Sequence, residues 1–114
     1  MVEYSANLSE TYAALANDVR RAIVDRLVRG EARVTEVAAP FDISLAAVSK
    51  HIVVLERAGL VRRRVEGRTH WLALEPQPLI EAEAWIEHTR AFWSGRLDAL
   101  DEFLRGRDVG ALAE

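Results

Sequence analysis

Cysteine is absent from the 114 residues. That absence excludes disulfides, zinc–thiolate sites, persulfide switches and thiol nucleophiles at once. Lysine is almost absent too, with Lys50 standing alone beside fourteen arginines. No run of about 18 apolar residues occurs, so no membrane-spanning helix is expected. Met1 to Asn7 has neither a basic nor an apolar stretch, so it does not read as a secretory signal, and the expected compartment is the cytoplasm. Half of the residues are apolar, enough for a packed core, and the length fits one domain over residues 1–114.

The formal charge of −3 is unevenly spread. From Ser44 to His70 six basic residues meet two acidic ones, a net of +4, while the segments before and after carry −2 and −5. An electropositive island between acidic flanks can face phosphate even on an acidic molecule.

Hydrophobic spacing predicts five helices. The first runs from about Leu8 to Ala16, capped by Asn7 or Ser9, with Leu8, Tyr12 and Leu15 on one face. The second is capped by Asn17 or Asp18, stops at Gly30, and shows the stripe Val19, Ala22, Ile23 and Leu27. A short third helix begins at Thr35 and ends at Pro40. Phe41 and Ile43 then anchor a turn, and Ser44 caps a fourth helix from Leu45 to Ala58, closed by Gly59. In it Leu45, Val48, Ile52 and Leu55 share the inward face, with Lys50 and Arg57 opposite. A short helix, a tight turn and a longer Ser-capped helix make a helix-turn-helix pattern.

Two strands follow, Leu60 to Val65 and Thr69 to Leu74, around the turn Glu66-Gly67-Arg68. Alternation puts Arg62 and Arg64 on one face and Arg63 on the other. From about Pro78 to Leu104 a long helix repeats Leu79, Ala82, Ile86, Trp93, Leu97, Leu100 and Leu104 near a 3.5 spacing. Its apolar surface exceeds what so small a core can cover, which implies a second copy of the chain as partner. Arg105 to Glu114 shows no period and reads as a frayed tail. The fold class expected is therefore mainly α with a small β-hairpin wing, a winged helix-turn-helix dimer, with residues 8–16 and 78–104 as the dimerisation elements.

Three strings, Leu15 to Ile23, Val34 to Ala38 and Ile43 to Val61, resemble the ArsR family of bacterial and archaeal repressors. The third is specific, through Ser49-Lys50-His51 and the exit Ala58-Gly59-Leu60-Val61. The resemblance implies a homodimer that represses transcription by occupying an operator in double-stranded DNA. By position it implies DNA contacts from Ala46, Ser49, Lys50 and His51 on the fourth helix and from Arg64 and Arg68 on the wing. Ser44 and Arg62 complete the candidate surface. Dimerisation is assigned to Leu8, Tyr12, Leu15, Ile86, Trp93, Leu97 and Leu100. Metal-sensing members carry cysteines in the third helix or paired ligands on the last. Here the former are missing and His88 is the only histidine on the latter, so no metal and no cofactor is expected. Phe92 to Leu100 instead resembles a metal-free branch of the family.

Other readings are weaker. A sensor released from DNA by a small molecule or metal would need a coordinating cluster or pocket near the last helix, and the effector, if any, is unknown. A protein-interaction module that has lost DNA would not need the basic island. Glu81, Glu83 and Glu87 lie on a wet helix face, with no Ser/His/Asp set or Gly-rich phosphate loop beside them, so an enzyme is not expected. Trp71, Trp85 and Trp93 read as packing or interface anchors rather than the walls of a ligand cage.

Overall fold

The computed structural model describes residues 2–113 and, within them, the side chains of residues 7–106. The helices are α1 (Val2–Leu15), α2 (Asp18–Val28), α3 (Val34–Ala38), α4 (Leu45–Arg57) and α5 (Gln77–Ala113). The strands are β1 (Ala32–Arg33), β2 (Val61–Glu66) and β3 (Thr69–Leu74), paired antiparallel in the order β1-β3-β2. The backbone divides into two compact units, Met1–Ala82 and Glu83–Glu114. No helix among the described residues is long and apolar enough to cross a membrane.

The core of the first unit comes from every element between α1 and β3. Ile23, Val48, Ile52, Leu55, Leu60 and Leu72 are fully buried, joined by Ala14, Val24, Leu27, Ala32, Val37 and Val61. Each large aliphatic side chain so buried contributes about 1.5–3 kcal/mol relative to exposure. The α4 stripe behaves as its spacing predicts from Val48 onward. Leu45 departs from it, being 54% exposed, because it opens the helix one turn before Val48, the first α4 member of the buried cluster. Ile43 is likewise exposed rather than an anchor, whereas Phe41 does pack against the core.

The helix ends follow local chemistry. Asn17 is the cap of α2, its side chain accepting from Arg20 N at 3.0 Å. Ser44 Oγ accepts from Ala47 N at 3.1 Å and caps α4. At the other end of α4, Leu60 N donates to Leu55 O (2.9 Å) and Gly59 N to Glu56 O (3.0 Å). Gly59 adopts φ +78°, so this is a Schellman closure in which buried Leu55 and Leu60 form the hydrophobic contact. The chain therefore leaves α4 directly into β2.

Several boundaries differ from the periodicity. The first helix starts at Val2, so neither Asn7 nor Ser9 caps it; residues 2–7 contain no breaker. The last helix continues to Ala113, across the segment read as a tail. Gly106 and Gly110 cost only about 1 kcal/mol each, too little to end a helix among good helix formers. The turn of the hairpin is two residues, not three: Glu66 pairs with Thr69, and Gly67 takes φ +64° at the first central position, the type II′ arrangement. Strand β1 was not foreseen. Its two residues have no period of their own and are defined only by the pairs Ala32↔Leu72 and Arg33↔Trp71.

Candidate nucleic-acid interface

Burying Val48, Ile52 and Leu55 turns the opposite stripe of α4 outward. Ala46, Lys50, Val53 and Arg57, spaced four, three and four, are all exposed, and Ser49 is half-buried beside them. Ser49, Lys50, Val53, Val54 and Arg57 line one shallow concavity of about 400 Å³. Small and short side chains along this stripe let a helix approach a groove closely, with the cations Lys50 and Arg57 two turns apart on it.

His51 is placed differently from Ser49 and Lys50. It is half-buried, and its Nδ1 lies 3.1 Å from Arg20 Nη1. Arginine only donates, so Nδ1 is the acceptor. The same guanidinium donates to Ala14 O at 2.6 Å and Ala13 O at 3.2 Å. Arg20 thus ties α4 to the end of α1 through His51. Ser44 similarly has its hydroxyl oxygen committed to the cap of α4.

On the wing the register puts Arg62, Arg64 and Trp71 on one face of the sheet and Arg63, His70 and Leu72 on the other. Each arginine of the run meets a carboxylate from elsewhere. Arg62 pairs with Glu75 at 2.5 Å. Arg63, on the side of α4, holds Glu56 through two bonds of 2.7 and 3.2 Å. Arg64 meets Glu31 at 2.6 Å and Glu66 at 2.5 Å, and these bonds hold its guanidinium pKa above the ordinary arginine value. The Arg33 and Arg64 guanidiniums also lie over the Trp71 ring, at 6.0 and 5.6 Å from its centre.

Within the basic island, Lys50, Arg57 and Arg68 make no ion pair or hydrogen bond to the described residues. Arg57 was not among the assigned site residues. Its two-turn offset from Lys50 on a helix of 3.6 residues per turn is the signal that finds it. A second groove, of about 360 Å³, lies where α3, α4 and the wing tip meet, with Thr35, Ser49, Arg63, Arg68, Thr69 and His70 on its walls. Thr35, Thr69 and His70 carry no sequence signal, since only the strand register and the packing of α3 bring them to Ser49.

The residues assigned to dimerisation separate into two groups. Leu8 is 8% exposed, Leu15 packs on the core, and Tyr12 donates its hydroxyl to Ala82 O at 2.8 Å, so these are largely engaged inside the first unit. Ile86, Trp93, Leu97 and Leu100 are each about half exposed. His88 is exposed as well, and no group of three potential metal ligands occurs among the described residues.

Residues 15–64 match a helix-turn-helix domain family. An HTH-type transcriptional regulator of Mycobacterium tuberculosis is 37% identical over 86 residues, covering 75% of this chain and 78% of the relative. The crystal structure of an ArsR family transcriptional regulator superposes with a TM-score of 0.75 at 39% identity, over 79% of this chain and 93% of the other. The chain belongs to the ArsR family. This ArsR-family protein is also similar to the transcriptional activator HlyU of Vibrio cholerae, 33% identical over 76% of the chain and 78% of the relative. A homodimeric winged helix-turn-helix DNA-binding domain from Mycobacterium bovis superposes with a TM-score of 0.64 at 25% identity, over 80% of this chain and 86% of that one. The fold is thus a winged helix-turn-helix, with α3–α4 as the helix-turn-helix and β2–β3 as the wing, and the ArsR-family chain is a DNA-binding transcriptional regulator.

Proposed function

We propose that the protein works in the cytoplasm as a homodimeric, non-catalytic repressor that covers an inverted-repeat operator. Each α4 enters a major groove about 34–36 Å from its mate, and the wings grip the flanking backbone. The observation that carries this reading is the outward stripe of α4, where Lys50 stands exposed and without an ion pair opposite the fully buried Val48, Ile52 and Leu55. Ala46 and Lys50 face the bases, Ser49, Arg57 and Arg68 meet phosphate, and Arg62 and Arg64 reach phosphate by exchanging it for their carboxylates. His51 supports α4 through Arg20, and Ser44 holds its first turn. The chain acts as one DNA-binding domain, joined to its copy chiefly through Ile86, Trp93, Leu97 and Leu100 of α5, with a smaller share from Leu8, Tyr12 and Leu15. Repression follows from excluding polymerase.

Band-shift titration on the protein's own promoter tests the reading. The shift weakens with salt and is lost in Lys50→Ala combined with Arg64→Ala. An unchanged, equally salt-sensitive affinity in the double variant contradicts the assignment.

A further inference from the structure

The groove between α3, α4 and the wing tip is lined mostly by donors, with Val34 its one apolar residue and Arg33 paired to Glu36. Thr35, Ser49 and Thr69 bring hydroxyls, Arg68 a guanidinium with no ion pair, and His70 an imidazole; no carboxylate belongs to the lining. The form of that imidazole is set by its neighbour. Arg63 Nη1 is 3.1 Å from His70 Nδ1, and a guanidinium has no lone pair to offer. Nδ1 therefore accepts, and the neutral ring carries its hydrogen on Nε2. Arg63 is itself held by both oxygens of Glu56 on α4, with both side chains about three-quarters buried. A chain of contacts from Glu56 through Arg63 to His70 thus begins on the recognition helix and leaves His70 an N–H to give.

We propose that this groove seats one backbone phosphate of duplex DNA, held by His70 Nε2–H, by the hydroxyls of Thr35, Ser49 and Thr69, and by the charge of Arg68. The inference rests on the DNA-binding reading above and adds a site to it. Donors without an acid favour an anion over a neutral or cationic ligand. Duplex phosphate is favoured over free phosphate by position. The groove lies between the two elements that straddle a strand when α4 occupies the major groove and the wing reaches past it. Glu56 and Arg63 are positioning residues, acting through the ring they orient.

Fluorescence anisotropy with the full chain, on a promoter duplex and on a random duplex, tests the site. His70→Ala and Thr69→Val each weaken both duplexes about three- to tenfold, the effect of a lost neutral hydrogen bond. The salt slope does not move, because a neutral donor releases no counterion. Arg68→Ala weakens both and lowers the slope by about one. A methylphosphonate scan of the promoter finds one position per half-site where His70→Ala no longer costs anything. His70→Gln, which keeps a donor, retains more affinity than His70→Ala, and thermal midpoints check that the wing stays folded. Exchanging chloride for inorganic phosphate at constant ionic strength leaves wild-type binding unchanged.

A His70→Ala penalty confined to the promoter, one that survives every methylphosphonate, no penalty at all, or competition by free phosphate overturns the proposal. A wild-type chain that binds neither duplex overturns the DNA reading, and the groove with it.

Discussion

At the scale of single residues, the charge on the wing is governed by partners rather than by count. Arg62, Arg63 and Arg64 look like the densest cationic feature in the chain, yet each is matched by a glutamate within 2.7 Å. The exposed pairs of Arg62 and Arg64 add little to stability, so phosphate can displace the carboxylate, at a cost set by that exchange. Arg64 is the most constrained, with Nη1 on Glu66 and Nη2 on Glu31. Neutralising one partner lowers the cost and removes a negative charge from beside the DNA. Glu31→Gln is therefore expected to tighten DNA binding about twofold to fivefold at low salt, on any duplex, by anisotropy titration. Weaker binding would mean that Glu31 orients Arg64 for its contact, and the exchange picture would fail. Lys50, Arg57 and Arg68 have no such partner among the described residues, so they meet DNA without that exchange.

At the scale of elements, the helices were legible because their signals are local. The buried spacing of α4 and the caps at Asn17 and Ser44 need only neighbouring residues to be read. What escaped needs distant partners. Strand β1 exists through Leu72 and Trp71, and His51 is held by Arg20, 31 positions away. The exposure of Leu45 and Ile43 depends on where the covering elements stop. For the site, the α4 stripe was readable, but the groove of Thr35, Ser49 and His70 joins three elements and was not. Two outcomes test the local part. Ser44→Ala leaves Ala47 N without its acceptor and is expected to cost about 1 kcal/mol in chemical denaturation. Unchanged stability would mean that solvent replaces the cap at no cost. In α3, Glu36 accepts from the side chain of Arg33 at 2.9 Å and from its backbone N at 3.0 Å. These bonds, the side-chain one first, hold the Glu36 carboxyl below the usual carboxylate range. A depressed folded-state value stabilises the native protein above the unfolded carboxyl's titration, and that stability is lost as pH falls through the folded value. Glu36→Gln is thus expected to shrink the gap to wild type as a denaturation series is taken into acid below the normal carboxylate range. A gap that stays constant with pH would remove the linkage.

At the scale of the whole molecule, the proposed repressor needs a seam that brings two reading helices to one operator, and α5 offers it. Leu79 and Ala82 are covered within the first unit, but the same repeat continues into residues that are not. Ile86, Trp93, Leu97, Leu100 and Leu104 expose between 48% and 60% of their surface. At about 25 cal/mol for each Å² of apolar surface, five such side chains left in water forgo several kcal/mol per chain, which a two-fold pairing recovers on both copies. The α1 residues add less, because Leu8 is already buried and Tyr12 is bonded to Ala82 O. Trp93→Glu combined with Leu97→Asp places charge in the proposed seam on both copies, and neither residue belongs to the buried cluster. The double variant is expected to sediment as a monomer at concentrations where the wild type is a dimer, with the cooperative unfolding of the first unit retained. Promoter affinity then falls about 10²–10⁴-fold, because the second half-site is no longer engaged as an intramolecular event. Binding to a single half-site changes little, since Lys50, Ser49 and Arg68 remain where they were. A wild-type chain that sediments as a monomer at the concentrations that occupy the promoter would sink the dimer. A double variant that loses half-site binding as well would place the seam residues in the reading head rather than between two of them.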